Sequence, residues 1–423
     1  MRLWRAWLGV LVCAGSALLA CADTASGELP AEAPPPETSA PAPVEASAPD
    51  APLEVAPALV LNDERRVRPT PPPPPRQSFQ PGFHQALRWS HDVGGVVTFR
   101  LRVPVAREGG RIRVTFRSGD GTLTLRRATV AKAGTNGALA STPVPLTFGG
   151  KEGFSTSPRT RVTSDPVNFP VSFLDDLAIS FEVSGALGVS AIDAFPGSYA
   201  RAGAYAAVPG AIGGQPFERS VGVATVDVEG PTGRAFVALG DSITEGYMDT
   251  KNDTRSAWPS LVASRLEVPV VNAGVSGQGF YDALELLDGE VLALEGITDC
   301  LVLLGTNDLG LDGALAQLQA RMLRMVARLR PFCRVWVSTL LPKEKSNHGA
   351  YTLVKTQRVS FNEWLRQGAT GTDVIDLEAV TRQPDNTHLF LEGLVADGIH
   401  PSAEGHEVMA TEVVRVLRER GGL

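Results

Sequence analysis

The pattern of apolar and polar positions divides the chain into four segments. Residues 1–21 contain an apolar stretch behind two arginines, and residues 22–81 hold sixteen of the 32 prolines among alanine, glutamate and serine. Residues 82–232 alternate apolar and polar residues in short runs, whereas residues 233–423 carry runs that are apolar almost throughout, separated by stretches of helical period. These differences predict a leader, a tether and two folded domains with those boundaries.

The alternating runs predict β-strands that place one face on a core. They lie at residues 96–103, 111–116, 122–125, 167–173, 177–183 and 221–228. The sequence Gly119-Asp120-Gly121 predicts a turn between the second and third of these strands. Since no long segment of helical period interrupts the region, residues 82–232 are predicted to form an all-β sandwich.

The apolar runs of the last segment predict a different architecture. They lie at residues 235–239, 268–272, 299–304, 334–340 and 373–377, and helical patterns alternate with them. Within residues 312–330 one face carries Leu315, Leu318, Met322, Met325 and Leu329. Strands that are apolar on both faces and alternate with helices indicate a parallel sheet covered on both sides. Residues 233–423 are therefore predicted to form a three-layer α/β domain.

Composition and charge narrow the class of protein. The 39 basic and 46 acidic residues give a net charge of −7, which argues against a broad nucleic-acid-binding surface. Four cysteines are too few for a disulfide-built scaffold, and no apolar run reaches the ~18 residues of a membrane span. The proline-rich segment lacks the apolar residues to form a core, so we expect a disordered, semi-rigid spacer.

The leader has the features of an export signal, and its apolar stretch ends in Leu-Leu-Ala-Cys at residues 18–21. This ending resembles a bacterial lipobox. The resemblance implies that Cys21 is lipidated and anchors the protein to a membrane without spanning it. Ala22 after the cysteine favours the outer membrane. The alternative is an ordinary signal peptide cut near a cysteine, which would release a secreted protein.

Residues with potential chemistry follow the predicted parallel strands. They are Gly240-Asp241-Ser242 after the first, the glycine-rich residues 272–277 with Gly274 after the second, Gly305-Thr306-Asn307-Asp308 after the third, and Asp397-Gly398-Ile399-His400-Pro401 beyond the fifth. Ligands of open α/β sheets bind at the carboxyl ends of the strands, so we expect these four groups to meet at one edge.

The residue types point to nucleophilic catalysis. A serine hydroxyl is a weak nucleophile until a neighbouring base takes its proton. The spacing of Asp397 and His400 allows the carboxylate to hold one ring nitrogen while the other faces Ser242. Charge that develops on an attacked carbonyl oxygen needs hydrogen-bond donors, and the backbone N–H groups of Ser242 and Gly274 and the Asn307 amide are available.

Other candidate residues suggest structural roles. Asp241 and Asp308 adjoin the predicted site, and we expect them to brace loops through backbone hydrogen bonds. The remaining histidines show no metal-ligand spacing, and we predict neither a metal nor a cofactor. They are His84, His91, His348, His388 and His406.

Taken in order, the four groups resemble the conserved blocks of the SGNH/GDSL hydrolase superfamily across residues 234–423. The β region is similar to the N-terminal domain of some extracellular GDSL lipolytic enzymes, through residues 147–150, 164–167 and 176–180. The resemblance implies an esterase, lipase or carbohydrate deacetylase with Ser242 as nucleophile and His400 as base. It also implies a flavodoxin-like strand order. Gln278 departs from the pattern, because relatives often have asparagine there.

The implied strand order bears on the cysteines. Cys300 and Cys333 open the third and fourth parallel strands, which are neighbours in a flavodoxin-like sheet, so a disulfide between them is within reach. An exported protein meets an oxidising compartment in which such a bond persists. The alternative is two buried free thiols.

We therefore expect a serine ester hydrolase that removes short, acetyl-like groups from an acetylated glycan or another small ester. A lipase acting on long acyl chains and a transacylase use the same residues and remain alternatives. A non-catalytic, glycan-binding surface lipoprotein is a further alternative, although that hypothesis predicts a broken set of catalytic residues.

Overall fold

The computed structural model describes residues 76–191, 195–217 and 219–421. These residues all belong to one compact unit of the chain, residues 71–423. The predicted leader, the lipidation of Cys21 and almost all of the predicted tether lie outside the described residues.

The first region is an antiparallel β domain, as the alternating runs predicted. Its strands are β1 (Gln77–His84), β2 (Trp89–Val105), β3 (Gly109–Lys132), β4 (Val144–Leu146), β5 (Phe154–Thr156), β6 (Arg161–Thr163), β7 (Val167–Val171), β8 (Asp175–Val189), β9 (Tyr199–Ala202), β10 (Gln215–Pro216) and β11 (Val223–Pro231). They form an 11-stranded sheet in the order β1-β11-β3-β8-β2-β9-β10, with β4 to β7 also paired to β3.

Two details of this region differ from prediction. The turn predicted at residues 119–121 is wrong, because β3 runs through it as one strand whose register against β8 shifts between Ser118 and Leu123. A Cβ on Gly119 would lie 2.7 Å from the Leu187 carbonyl oxygen, so glycine permits a bulge there rather than a reversal. Strand β1 also begins at Gln77, inside the predicted tether, because it pairs with β11.

The β domain buries aromatic and branched side chains from both halves of β3 in one core. Phe116 and Phe181 meet edge to face at 5.3 Å, and Phe99 stacks on Phe181 at 5.6 Å. Ile112 and Leu125, from opposite halves of β3, are both at most 1% exposed. The long strand therefore bends around a single apolar cluster.

The second region confirms the three-layer α/β prediction. Its strands are β12 (Phe236–Gly240), β13 (Val270–Gly274), β14 (Asp299–Leu303), β15 (Arg334–Ser338) and β16 (Asp373–Ile375). Its helices are α1 (Ser242–Glu245), α2 (Trp258–Leu266), α3 (Phe280–Leu287), α4 (Ala314–Leu329), α5 (Tyr351–Arg366), α6 (Leu377–Thr381) and α7 (Ala403–Gly421). The parallel order β13-β12-β14-β15-β16 is flavodoxin-like.

Helix α4 illustrates why the periodicity was informative. Leu318, Met322, Met325 and Leu329 are completely buried and Leu315 packs at the margin of the same core.

Helix α7 is capped by Ser402, whose hydroxyl oxygen accepts the N–H of Gly405 in the first turn (3.1 Å). No helix within the described ranges is long and apolar enough to cross a membrane.

The β region covers one edge of the parallel sheet. Gln85, the residue after β1, forms a parallel bridge with Asn272 of the edge strand β13. The N–H of Ala86 donates to the Asn272 carbonyl (3.3 Å), and Gln85 Nε2 donates to the Gly274 carbonyl (3.2 Å). An open edge strand invites pairing with other chains, so this contact protects the sheet while joining the two regions.

A buried ion cluster also joins the regions. Glu290, in a helical turn between α3 and β14, is 4% exposed. Its carboxylate lies 2.6 Å from Arg161 Nη2, 3.7 Å from Arg117 Nε and 3.7 Å from His84 Nε2. Since Arg117 and Arg161 belong to the β region, that region supplies the positive charge that neutralises a buried carboxylate of the α/β region.

Candidate active site

Ser242 lies two residues after the end of β12 and begins helix α1. Asp241 caps this helix, because its Oδ1 accepts the N–H of Ile243 at 3.0 Å. Gly240 leaves no room for a side chain in the turn, since a Cβ there would lie 2.0 Å from Thr244 Oγ1. The tight strand-to-helix turn therefore holds Ser242 at the carboxyl edge of the sheet.

The structure brings Ser242, His400 and Asp397 together in one hydrogen-bonded chain. Ser242 Oγ lies 2.9 Å from His400 Nε2. His400 Nδ1 lies 3.1 and 3.2 Å from the two oxygens of Asp397. An ionised carboxylate only accepts, so the Asp397 contact places the ring hydrogen on Nδ1 and leaves Nε2 to accept from the serine hydroxyl.

The charge states of this chain follow from its surroundings. Burial acts against the ionised form of Asp397, but hydrogen bonds from the His400 and Ile399 amides and from the His400 ring outweigh it and lower the Asp397 pKa to about 2. Burial lowers the pKa of His400 below its ordinary value; Asp397 opposes this shift, and Lys345 and Lys343 add to it. At neutral pH the carboxylate is therefore ionised and the imidazole neutral, as a general base requires.

The predicted oxyanion donors do not all remain available. Among the described residues no acceptor takes the backbone N–H of Ser242. Asn307 Nδ2 donates one hydrogen to the Gln278 carbonyl (3.1 Å) and has a second hydrogen left. The N–H of Gly274, however, donates to Asn272 Oδ1 at 2.8 Å. The oxyanion role predicted for Gly274 is corrected, because this amide already has a partner.

Gly277 has an unused backbone amide that sequence reasoning missed. Its φ of 79° lies in the left-handed region, and no described residue accepts its N–H. A Cβ at this position would meet nothing within 4 Å, so the loop between β13 and α3 is open here. Gly274 instead ends a buried strand, where a Cβ would lie 2.3 Å from the Glu245 nitrogen. The accessible amide therefore belongs to Gly277, the loop glycine with a positive φ, and not to Gly274 at the strand end.

Gln278, the departure from the family pattern, ties this loop to the nucleophile. Its side chain is buried, and Nε2 donates to the Gly240 carbonyl at 2.5 Å. Its own carbonyl accepts from Asn307. One residue therefore connects the loop of Gly277 to the turn before Ser242 and to the strand end that carries Asn307.

Glu245 is a second residue that sequence reasoning did not identify. It is 1% exposed, and its Oε2 accepts the backbone N–H (2.7 Å) and the hydroxyl of Ser276. Its Oε1 accepts the N–H of Ala191, which follows β8 of the β region (2.9 Å). A carboxylate three residues after Ser242 thus joins α1, the β region and residues 275–279. We call these residues, the loop between β13 and α3, the oxyanion loop, after the role expected of the Gly277 amide.

Buried charges surround the site, and two of them brace loops as predicted. Asp241 caps α1, and Asp308 accepts the N–H of Phe280 at the start of α3 (3.0 and 3.2 Å). Burial raises the pKa of Asp308, and it raises the pKa of Asp241 to about 7. Burial also lowers the pKa of Lys343 to about 8, although the charge of Asp241 opposes this shift.

The other histidines lie apart from the triad's chemistry. His84 and His406 are buried, and burial lowers the pKa of each to about 3. Within residues 76–191, 195–217 and 219–421, no group of three or more His, Cys, Asp or Glu side chains is arranged to hold a metal ion.

Cys300 and Cys333 form a disulfide across the neighbouring strands β14 and β15, with their Cα atoms 5.9 Å apart. The bond lies at the strand starts and therefore at the end of the sheet opposite to Ser242. We therefore assign this disulfide a structural role.

A model of the GDSL-like lipase/acylhydrolase family matches residues 238–408. This span runs from β12 into α7 and contains Ser242, Asn307, Asp397 and His400. A comparison with curated proteins found no match.

Solved structures of related proteins cover slightly less than half of this chain. A lipase/acylhydrolase from Enterococcus faecalis is 30% identical over 44% of this chain and 97% of its own, with a TM-score of 0.37. A protein described as lipolytic and of the G-D-S-L family, from Desulfitobacterium hafniense DCB-2, is 28% identical over 44% and 100%, with a TM-score of 0.38. A variant of an acetyl-xylooligosaccharide esterase from Geobacillus Stearmophilus is 19% identical over 44% and 94%, with a TM-score of 0.34.

Proposed function

The chain belongs to the GDSL-like lipase/acylhydrolase family through its α/β region and is a carboxylic ester hydrolase, and on this premise we propose that it removes short acyl groups, such as acetyl, from a polar alcohol such as a glycan. The proposed mechanism passes through an acyl-enzyme on Ser242. The observation that carries it is the 2.9 Å contact between Ser242 Oγ and a His400 ring whose other nitrogen is held by Asp397.

In the proposed first step, Ser242 Oγ attacks the ester carbonyl carbon while its proton passes to His400 Nε2. The carbonyl oxygen gains negative charge, which the N–H groups of Ser242 and Gly277 and the Asn307 amide stabilise. The C–O bond to the alcohol then breaks, and the alcohol oxygen takes the proton from His400. Water next gives a proton to His400 Nε2 as its oxygen attacks the acyl carbon. The bond between the acyl carbon and Ser242 Oγ then breaks, Oγ takes the proton from His400, and the acid leaves.

The preference for short acyl groups rests on the shape and polarity of the site. Polar side chains adjoin the triad: Gln278 Nε2 donates to the Gly240 carbonyl, and the exposed Lys345 Nζ lies 3.5 Å from Asp397 Oδ2. An apolar cavity of about 340 Å³ lies between the β region and α2, and none of its lining residues belongs to the triad. An acetyl group is small enough to need no apolar channel beside Ser242.

Hydrolysis of p-nitrophenyl esters from acetate to decanoate, with Ser242→Ala as control, tests this proposal. We expect kcat/KM to fall steeply beyond butyrate and to vanish in the variant. Rates that hold or rise with chain length would contradict the short-acyl preference and favour a lipase. Ester transfer to an added sugar in place of hydrolysis would identify a transacylase. Full activity in Ser242→Ala would contradict the mechanism itself.

We further propose that the protein is exported and held at the outer membrane by a lipid on Cys21. The lipobox-like sequence and the proline-rich segment behind it support this location. Fractionation of cells that express the wild-type chain and Cys21→Ala tests it. We expect the wild-type protein in the membrane fraction and the variant outside it; equal distribution of the two would contradict the anchor.

A further inference from the structure

Asn307 takes part in a chain of hydrogen bonds that begins at a buried ammonium group. Lys343, in the loop between β15 and α5, is 2% exposed, and its Nζ donates to Asn347 Oδ1 (2.5 Å). Asn347 Nδ2 donates to Asn307 Oδ1 (3.1 Å), and Asn307 Nδ2 donates to the Gln278 carbonyl (3.1 Å). Lys343 Nζ also donates to the carbonyl of Thr306, the residue before Asn307 (2.9 Å).

The direction of this chain is set at both ends, since the Lys343 ammonium group can only donate and the Gln278 carbonyl can only accept. A carboxamide can turn by half a rotation and exchange its donor and its acceptor, so Asn307 alone does not determine which group faces the substrate. An ammonium group only donates. Lys343 therefore requires the oxygen of Asn347, which turns the Asn347 nitrogen toward Asn307. The oxygen of Asn307 must then face Asn347, and its nitrogen is left for Gln278 and the substrate.

We propose that Lys343 and Asn347 are positioning residues that hold the Asn307 amide with its remaining N–H toward the developing oxyanion. The proposal rests on the proposed function, because it assigns these residues a purpose in ester hydrolysis. A reversed Asn307 would present an oxygen to the negative charge and would lose its bond to the Gln278 carbonyl.

The surroundings of Lys343 suit this role. Burial lowers its pKa only to about 8, since Asp241 lies near enough to oppose the shift, so the side chain remains an ammonium group at neutral pH. The same group fixes the carbonyl of Thr306 and therefore the backbone that carries Asn307. Lys343 does not contact the substrate and acts through Asn347 and Thr306.

Asn347→Asp is the decisive substitution. Aspartate has nearly the size of asparagine and can accept from Lys343 Nζ, but it has no hydrogen to donate to Asn307 Oδ1. Asn347 is exposed, so the variant should fold. With p-nitrophenyl acetate we expect kcat to fall by about tenfold or more while KM changes by less than about threefold, because a transition-state donor is lost. Asn168→Asp, at an exposed position of β7, makes the same change of charge and should leave kcat unaltered.

A double variant separates positioning from a general effect of the new charge. In an Asn307→Ala background, Asn347→Asp should cost less than about twofold in kcat, because the amide that it disturbs is absent. The same loss in both backgrounds would overturn the proposal, and so would full activity in Asn307→Ala. The proposed function fails separately, through an active Ser242→Ala. Lys343→Met gives a second test, and we expect it to lower kcat in the wild-type background but not in Asn307→Ala.

Discussion

The two regions of this protein contribute unequally to the candidate active site. Ser242 stands just beyond the carboxyl end of a parallel strand in the α/β region, and Asp397 and His400 reach it from the segment between α6 and α7. The β region supplies no triad residue. It supplies partners for the loops that surround the triad, and it does so from its own turns and strand ends.

Three contacts carry this support. Gln85 donates to the Gly274 carbonyl at the start of the oxyanion loop, and Ala191 donates to Glu245. Arg88 pairs with Asp282 in the first turn of α3, just beyond that loop (3.1 Å). A catalytic region can thus hold all of the reacting groups and still depend on its neighbour for their placement, which catalysis requires to within fractions of an ångström.

The largest effect is expected inside the α/β region. Ser242→Ala and His400→Ala should each lower kcat for p-nitrophenyl acetate by about four orders of magnitude, since either change removes a member of the proton-transfer chain. Thermal unfolding should be nearly unchanged. A loss below about tenfold in both variants would contradict the division, because the chemistry would then lie elsewhere.

The next effect concerns stability and arises where the regions meet. Glu290→Ala should lower the free energy of unfolding by about 3–5 kcal/mol, because Arg117 and Arg161 would remain charged without their buried partner. Urea unfolding measures this loss. Glu295→Ala is the matched control, since the Glu295 carboxylate, 2.9 Å from Arg113, is mostly exposed and Arg113 keeps its bond to Asp227. That pair should contribute less than about 1 kcal/mol. Equal losses of unfolding free energy in the two variants would show that the buried cluster stabilises the fold no more than the Arg113–Glu295 pair does.

A smaller effect tests whether the β region supports catalysis. Both carboxylate oxygens of Glu245 accept hydrogen bonds from backbone N–H groups, one from Ala191 and one from Ser276. In Glu245→Gln the side-chain NH2 group would have to face one of these two donors, and that hydrogen bond would be lost. We expect kcat to fall by about tenfold with little change in KM, because the oxyanion loop shifts. Glu363→Gln, at an exposed position of α5, makes the same chemical change and should have no effect. An active Glu245→Gln would mean that the β region only stabilises the fold.

The smallest effect is a shift in pH dependence. His400 must be neutral to accept the serine proton, so kcat/KM should fall as pH drops through its pKa. Burial lowers that pKa, and we expect the midpoint of the acid limb below 6.5. Lys345 adds to the lowering, so Lys345→Met should move the midpoint upward. A midpoint above 6.5, or a shift in the opposite direction, would contradict this electrostatic description of the site.

The sequence was most informative where a pattern and a fold rule act together. Buried parallel strands are apolar almost throughout, and their carboxyl ends lie at one edge of the sheet. The sequence alone therefore placed Ser242, Asn307 and His400 at that edge. The α/β strand order also followed from the family resemblance. Local spacing was sufficient for the Asp397 and His400 pair, because three residues keep both groups in one turn.

The sequence was less informative where backbone geometry or distant contacts decide. The sequence does not distinguish Gly274 from Gly277, but of the two only Gly277 has a positive φ and a backbone N–H without an acceptor among the described residues. The contact of Glu245 with Ala191 spans 54 positions and follows no periodic pattern. The bulge at Gly119 depends on the Leu187 backbone beside it. Such features are set by tertiary packing, which overrides local turn signals.

The pairing of Gln85 with the edge of the parallel sheet also concerns the order in which the chain assembles. The two groups of the Gln85–Gly274 contact are 189 positions apart, and the earlier one is synthesised first. When β13 leaves the ribosome, the segment that completes its outer edge has therefore long been available, because domains fold in the order of synthesis. We therefore expect that a circular permutant with the β region placed after the α/β region would leave the edge of β13 unpaired until its partner segment had been synthesised.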